Sequence, residues 1–202
     1  MTTVKVWDIA VRVFHWSLVA AFVTAYLSGD ENEWLHTNTG YVIIGLLVFR
    51  VIWGFIGTRH ARFNDFLYSP ARIFGYARAL ASGAPLRYIG HNPLGGIMVI
   101  ALLIALSVTC FSGLELYAAE DGKGPLAHQN LPSLISSAYA HEAGEHHVHD
   151  KEAAKFWEEI HELFVNVSLG LIGLHIAGVV LSSILHRENL VRAMLTGNKD
   201  TD

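Results

Sequence analysis

The chain has 202 residues, with 14 Lys and Arg against 18 Asp and Glu, giving a net charge of -4 with histidine neutral. Charged residues make up 16% and apolar residues 52%, with a mean hydropathy of +0.36; this excludes both intrinsic disorder and an ordinary soluble globule, whose charged share is roughly 25%. The mildly acidic balance, without a dense Lys/Arg run, argues against nucleic acid as a partner. The single cysteine, Cys110, excludes an internal disulfide and a haem attached through C-x-x-C-H.

In chain order, residues 13–29 lack Asp, Glu, Lys and Arg and predict a membrane span over about residues 10–28. Asp8 ahead of it, and no convincing small-residue cleavage site beyond Ser28, point to a retained helix rather than a signal peptide. Residues 34–49 and 51–58, on either side of Arg50, predict a second span over about 36–57. The basic segment that follows has aromatics and Arg at helical spacing over 64–82 and reads as a helix lying on the membrane surface, as does Glu188 to Met194. Residues 88–114 predict a third span over about 92–115, and 163–186 a fourth over about 160–185. Between them lies an acidic, His-rich loop over about 116–156. Each run is long enough to cross a hydrocarbon core of ~30 Å, and apolar residues cover every face. The expected fold is one all-α membrane domain over residues 1–202, a bundle of four transmembrane helices.

Eleven of the 14 basic residues fall at the termini, in the middle loop or at Arg50, leaving Lys123, Lys151 and Lys155 opposite. The positive-inside rule therefore places the N- and C-termini in the cytoplasm.

Histidines stand at the helix ends. His15, His36, His161 and His175 each lie within or at the edge of a span, where ionisable groups are costly. His161 and His175 are 14 residues apart on the fourth helix, hence on nearly one face and ~21 Å apart along its axis. Alternating helix directions pair His15 with His175 at the inner surface and His36 with His161 at the outer one. An axial pair of imidazoles in a helical bundle suits a low-spin haem iron better than catalytic zinc, which keeps an open position. Gly40, Gly170, Gly173 and Gly178 near these histidines leave room for a macrocycle, although small residues also serve plain helix packing.

The segments Arg12-Val13-Phe14-His15-Trp16, His36 with Gly40, His91-Asn92-Pro93-Leu94-Gly95-Gly96, Glu159-Ile160-His161-Glu162 and Gly173-Leu174-His175 resemble, in order and spacing over residues 5–195, the family of bacterial cytochrome b561 and nickel-iron hydrogenase b-type cytochrome subunits. The resemblance implies that His15, His36, His161 and His175 hold two haem b groups. It also implies electron transfer between quinone or quinol in the lipid membrane and another redox protein.

Other positions carry lesser expectations. Arg12, three residues before His15, and Arg50, deep in the second span, are candidates for haem propionates; each also reads as a charge anchored at the inner surface. His91, before Pro93, is a candidate for quinone binding or proton transfer, with an interfacial or capping role as the alternative. The tract from His141 to Asp150, with His128, reads as a solvated acidic loop or a divalent-metal site. An acidic outer face would attract a basic periplasmic partner such as a c-type cytochrome. Competing functions are a superoxide:quinone oxidoreductase, a His-rich metal-binding membrane protein and a passive anchor for a periplasmic enzyme.

Overall fold

The computed structural model describes residues 3–127 and 146–200, with side chains described over 3–127 and 151–199. Its elements are β1 (Thr3–Lys5), α1 (Ile9–Ser28), α2 (Glu33–Ile56), a 3-10 turn (Arg59–Ala61), α3 (Phe63–Phe66), α4 (Pro70–Ala81), α5 (Pro93–Asp121), α6 (His146–His186), α7 (Leu190–Thr196) and β2 (Asn198–Asp200). Four helices are long and apolar enough to cross a membrane: α1, α2, α5 and the stretch Lys151–His186 of α6. Large apolar side chains such as Val23, Leu27, Phe55, Ile104, Leu174 and Ile184 are exposed along them. A soluble chain could not sustain that much apolar surface in water; in lipid it costs nothing.

The helices start where the sequence supplies acceptors for their first free amides. Asp8 Oδ1 accepts from the Val11 amide at 2.8 Å, Asn32 Oδ1 from Leu35 at 2.9 Å, Asn92 Oδ1 from Gly95 at 2.7 Å and Asn189 Oδ1 from Arg192 at 2.8 Å. Hydroxyls within the spans bond back to their own helices, Thr24 to the Ala20 carbonyl and Thr109 to that of Ala105, each at 2.9 Å. These side chains thus expose no unsatisfied donor to lipid.

The chain divides into two compact units, residues 1–104 with 169–202, and residues 105–168. In the first unit α1 and α2 run antiparallel side by side. Phe14 meets Phe49 with ring centroids 6.4 Å apart, Trp53 Nε1 donates to Asp8 Oδ2 at 3.2 Å, and Thr58 Oγ1 donates to the same oxygen. β1 pairs antiparallel with β2, Thr3 opposite Asp200, so both termini lie on one side. Val6, Trp7, Val11, Ala61 and Ala193 form a small core beneath them. Glu188 receives Arg87 and, at 3.2 Å, the Lys199 ammonium, and Lys199 also donates to the Tyr88 carbonyl at 3.3 Å. This joins the middle loop to the C-terminal segment. In the second unit Phe111 packs edge-on to Trp157 at 5.7 Å, and Ala105 and Leu106 are buried.

Two expected boundaries differ. The surface segment 64–82 is broken into α3 and α4, because the residue before Pro70 is turned away from helical geometry; Ser69 has ψ 150°. The expected loop over 116–156 is shorter: α5 continues to Asp121 and α6 begins at His146. Charge marked this stretch as loop, but Lys151-Glu152-Ala153-Ala154-Lys155 are strong helix formers, and Lys155 and Glu159 stand four residues apart on one face. His128, His141 and the side chains of His146, His147 and His149 lie outside the described residues, so the metal-tract expectation falls there. Among the described residues no group of three or more His, Cys, Asp or Glu is arranged to hold a metal ion.

Candidate functional site

His15 and His175 come together in the first unit, one from α1 and one from α6, with ring centroids 6.5 Å apart and planes inclined by 53°. Two imidazoles on opposite sides of one metal, at bond lengths of about 2.0–2.1 Å, would have centroids roughly 6.3 Å apart. His15 Nδ1 is wholly buried and has no hydrogen-bond partner. Trp16 packs edge-on against the His15 ring at 5.0 Å. The pair fits a bis-imidazole iron: two neutral nitrogen donors, set at the right spacing, with a buried ring nitrogen still unsatisfied.

The other two candidates show a different preparation. His36 Nδ1 lies 2.9 Å from the Ala25 carbonyl, tying the start of α2 to the end of α1 within the first unit. His161 Nδ1 lies 3.0 Å from the Thr109 carbonyl in the second unit, with Ser112 Oγ at 3.3 Å. Because a carbonyl only accepts, each Nδ1 carries a proton. Metal-binding histidines are oriented in this way, by donating their second ring nitrogen to a carbonyl. Gly113 makes the His161 geometry possible. A Cβ there would stand 3.0 Å from His161 Cε1 and 3.1 Å from Nδ1, tighter than ordinary packing. By contrast, a Cβ at Gly40, Gly170, Gly173 or Gly178 would meet nothing within 4 Å, so these glycines border open space.

Around the end of the first unit that holds the termini, several buried polar atoms are unpaired: Arg12 Nε, Arg50 Nη1 and His91 Nδ1, besides His15 Nδ1. Arg12 spends its Nη2 on the Leu195 carbonyl and so straps α1 to α7. Arg50 is buried, with 3% exposure, and its guanidinium carbon lies 5.2 Å above the Phe63 ring and 5.9 Å above that of Phe66. His91 is wedged between Trp7 and Phe66, at centroid distances of 4.7 and 4.8 Å. Burial, with the charges of Arg50 and Lys199 adding to it, pushes the His91 imidazole down to about 3, so it is neutral at physiological pH.

Sequence reasoning found the histidines but missed their supports. Phe63, Phe66 and Trp7, which enclose Arg50 and His91, carry no chemistry of their own and stand out only in three dimensions. Thr109, Ser112 and Gly113 share one helix face at i, i+3 and i+4, a pattern ordinarily read as helix packing.

The sequence profile of the family described as prokaryotic cytochrome b561 matches residues 6–197. Among curated relatives, a probable Ni/Fe-hydrogenase B-type cytochrome subunit of Bradyrhizobium diazoefficiens is 24% identical, the alignment covering 98% of this chain and 86% of that one. Its counterpart in Rhizobium leguminosarum bv. viciae is 23% identical over 98% of this chain and 89% of that one. That of Azotobacter chroococcum is 28% identical over 62% and 64%. No solved structure matches the chain significantly.

Proposed function

The chain belongs to the prokaryotic cytochrome b561 family, a multi-pass b-type cytochrome of the bacterial inner membrane, and from that premise we propose that it binds two haem b groups and carries electrons between membrane quinone and a hydrogenase-type redox subunit. His15 and His175 hold one iron and His36 and His161 the other. The observation that carries this reading is the His15–His175 pair, 6.5 Å between centroids on two different helices. Its second support is the Nδ1-to-carbonyl bond of both His36 and His161, which orients each ring as metal-binding histidines are oriented.

Bound haem supplies reversible one-electron chemistry at iron. The protein's part would be to hold each group through two imidazoles, His15 with His175 and His36 with His161, which would favour outer-sphere electron transfer. Thr109 and Ala25 fix the tautomers of His161 and His36. The face that carries the paired termini, Arg59, Arg62, Arg72 and Arg78 is the cytoplasmic one, because basic loops are retained on that side. The His15/His175 site is then the inner one and the His36/His161 site the outer. The partner is a hydrogenase-type subunit rather than a soluble c-type cytochrome, because the curated relatives carry that name along nearly their whole length.

Detergent-purified protein is expected to give a b-type reduced-minus-oxidised spectrum and two haems per chain by pyridine haemochrome. His15→Ala and His175→Ala should each remove the same haem, and His36→Ala and His161→Ala the other. Retention of both haems by any one of these variants overturns the assignment, and absence of haem from the folded wild-type protein overturns the reading as a whole.

A further inference from the structure

Arg50 is the most thoroughly buried charged side chain described, at 3% exposure, and its Nη1 has no partner. Removing a permanent cation from water without an anion costs several kcal/mol, so its surroundings should contain a counter-charge. Among the described residues only the Asp8 carboxylate acts on it electrostatically, and no ion pair closes between them. The carboxylates nearest in the fold are already engaged: Asp8 accepts from the Val11 amide, Trp53 and Thr58, and Asp65 holds His60 at 2.8 Å and Arg59 at 3.5 Å. No salt bridge among the described residues involves Arg50. The aromatic faces of Phe63 and Phe66 shield it from water without neutralising it. Glycine at position 54, one turn along α2, is what lets Phe63 lie there, since a Cβ would come within 2.2 Å of its ring.

The depth of Arg50 points to the missing partner. Phe14 packs on Phe49 at 6.4 Å across antiparallel helices, so Arg50 and His15, each one residue further along its own helix, differ in depth by only ~3 Å. His91, which also packs on Phe66, leaves a second buried nitrogen unpaired in the same region. Burial excludes a lipid headgroup, and a quinone is neutral. A haem held by His15 and His175 would supply carboxylates, the anionic groups that a buried guanidinium takes.

We infer that Arg50 is the counter-ion of a propionate carboxylate of the haem at the His15/His175 site. This rests on the ligand assignment above and adds the residue that sets that haem's charge environment. Reduction adds one negative charge to the haem, and a fixed cation at its edge favours the reduced form.

The test uses full-length wild type, Arg50→Gln, Arg50→Lys and, as a surface-charge control, Arg59→Gln, which removes an 80% exposed side chain. Haem is labelled at its propionate carboxyls by growth on carboxyl-labelled 5-aminolaevulinate, and redox titration is combined with reduced-minus-oxidised infrared spectra. Arg50→Gln should retain two haems, lower the midpoint potential of one of them only and move the labelled carboxylate bands. Arg50→Lys, which keeps the charge but loses the planar fork, should move the bands with a smaller change in potential. Arg59→Gln should change neither. Unmoved bands in both Arg50 variants, or wild-type potentials in Arg50→Gln, overturn the inference. Loss of haem from both Arg50 variants also overturns it, because that marks a packing role. Failure of the ligand assignment is seen separately, as a wild-type protein without two b haems.

Discussion

The contact between Gly113 and His161 gives a prediction whose size can be worked from the structure. Replacing Gly113 by Ala puts a methyl group 3.0 Å from Cε1 and 3.1 Å from Nδ1 of the imidazole, where ordinary contacts begin at 3.4 Å. The ring must therefore retreat by a few tenths of an ångström. Its Nδ1 bond to the Thr109 carbonyl, now 3.0 Å, would stretch toward the limit of hydrogen bonding. Losing such a bond costs roughly 0.5–1.5 kcal/mol, up to about tenfold in an equilibrium constant, and losing a support of this kind typically costs 10–100-fold in metal affinity. Gly113→Ala should weaken retention of one haem by about tenfold, and Gly113→Val should remove it. Ser112→Ala, which takes away only the longer 3.3 Å contact, should change retention by less than about twofold. The assay is haem per chain after graded detergent washing, read by pyridine haemochrome, with electron paramagnetic resonance to show which low-spin signal declines. If Gly113→Val retains two haems with both signals unchanged, the Thr109 bond does not support the ligand and the argument fails.

Other consequences concern the end that holds the termini. Burial raises the Asp8 carboxyl, but hydrogen bonds from Thr58, the Val11 amide and Trp53 outweigh it and hold it below its ordinary value. Burial likewise raises Glu188, and Arg87 and Lys199 bring it down. Both groups thus contribute stability that is complete above the ordinary carboxylate range near pH 4 and is lost as pH falls through their depressed folded-state values. Thermal melts of Glu188→Gln should be lower than wild type by about 1–3 kcal/mol at pH 7 and converge on it in acid; parallel curves at all pH values would show that the Arg87–Glu188–Lys199 contact contributes nothing. Asp8→Ala should cost roughly 0.5–2 kcal/mol through the lost cap of α1, measured as a melting shift in the same detergent. Gly96→Ala should be worse than either, because its Cβ would come 2.2 Å from the Phe66 carbonyl, a backbone atom that cannot swing aside; wild-type stability in that variant would mean that α3 does not pack on α5 as described.

The division between sequence and tertiary structure follows from what each kind of residue needs. The spans were legible because lipid permits only helices there, and because charge-free runs of this length have no other use. The four histidines were legible because an ionisable group in a span is conspicuous, and the 14-residue gap from His161 to His175 fixes one helix face by geometry alone. The start of α6 was not, since Lys, Glu and Ala serve a solvated loop and a helical extension equally well, and only the folded chain chose the helix. Arg12 and Arg50 look alike as basic residues near span ends. The structure separates them by their surroundings, giving Arg12 a carbonyl on α7 from 183 residues away and burying Arg50 over Phe63 and Phe66, while each keeps one buried nitrogen unpaired. The sequence by itself therefore determined a four-span helical protein with imidazoles at both ends of its spans. Which side chains orient those imidazoles, and which cation lacks its anion, were decided by contacts between residues such as Thr109 and His161, 52 apart in the chain. No local periodicity encodes such pairs, because they exist only once the helices have packed.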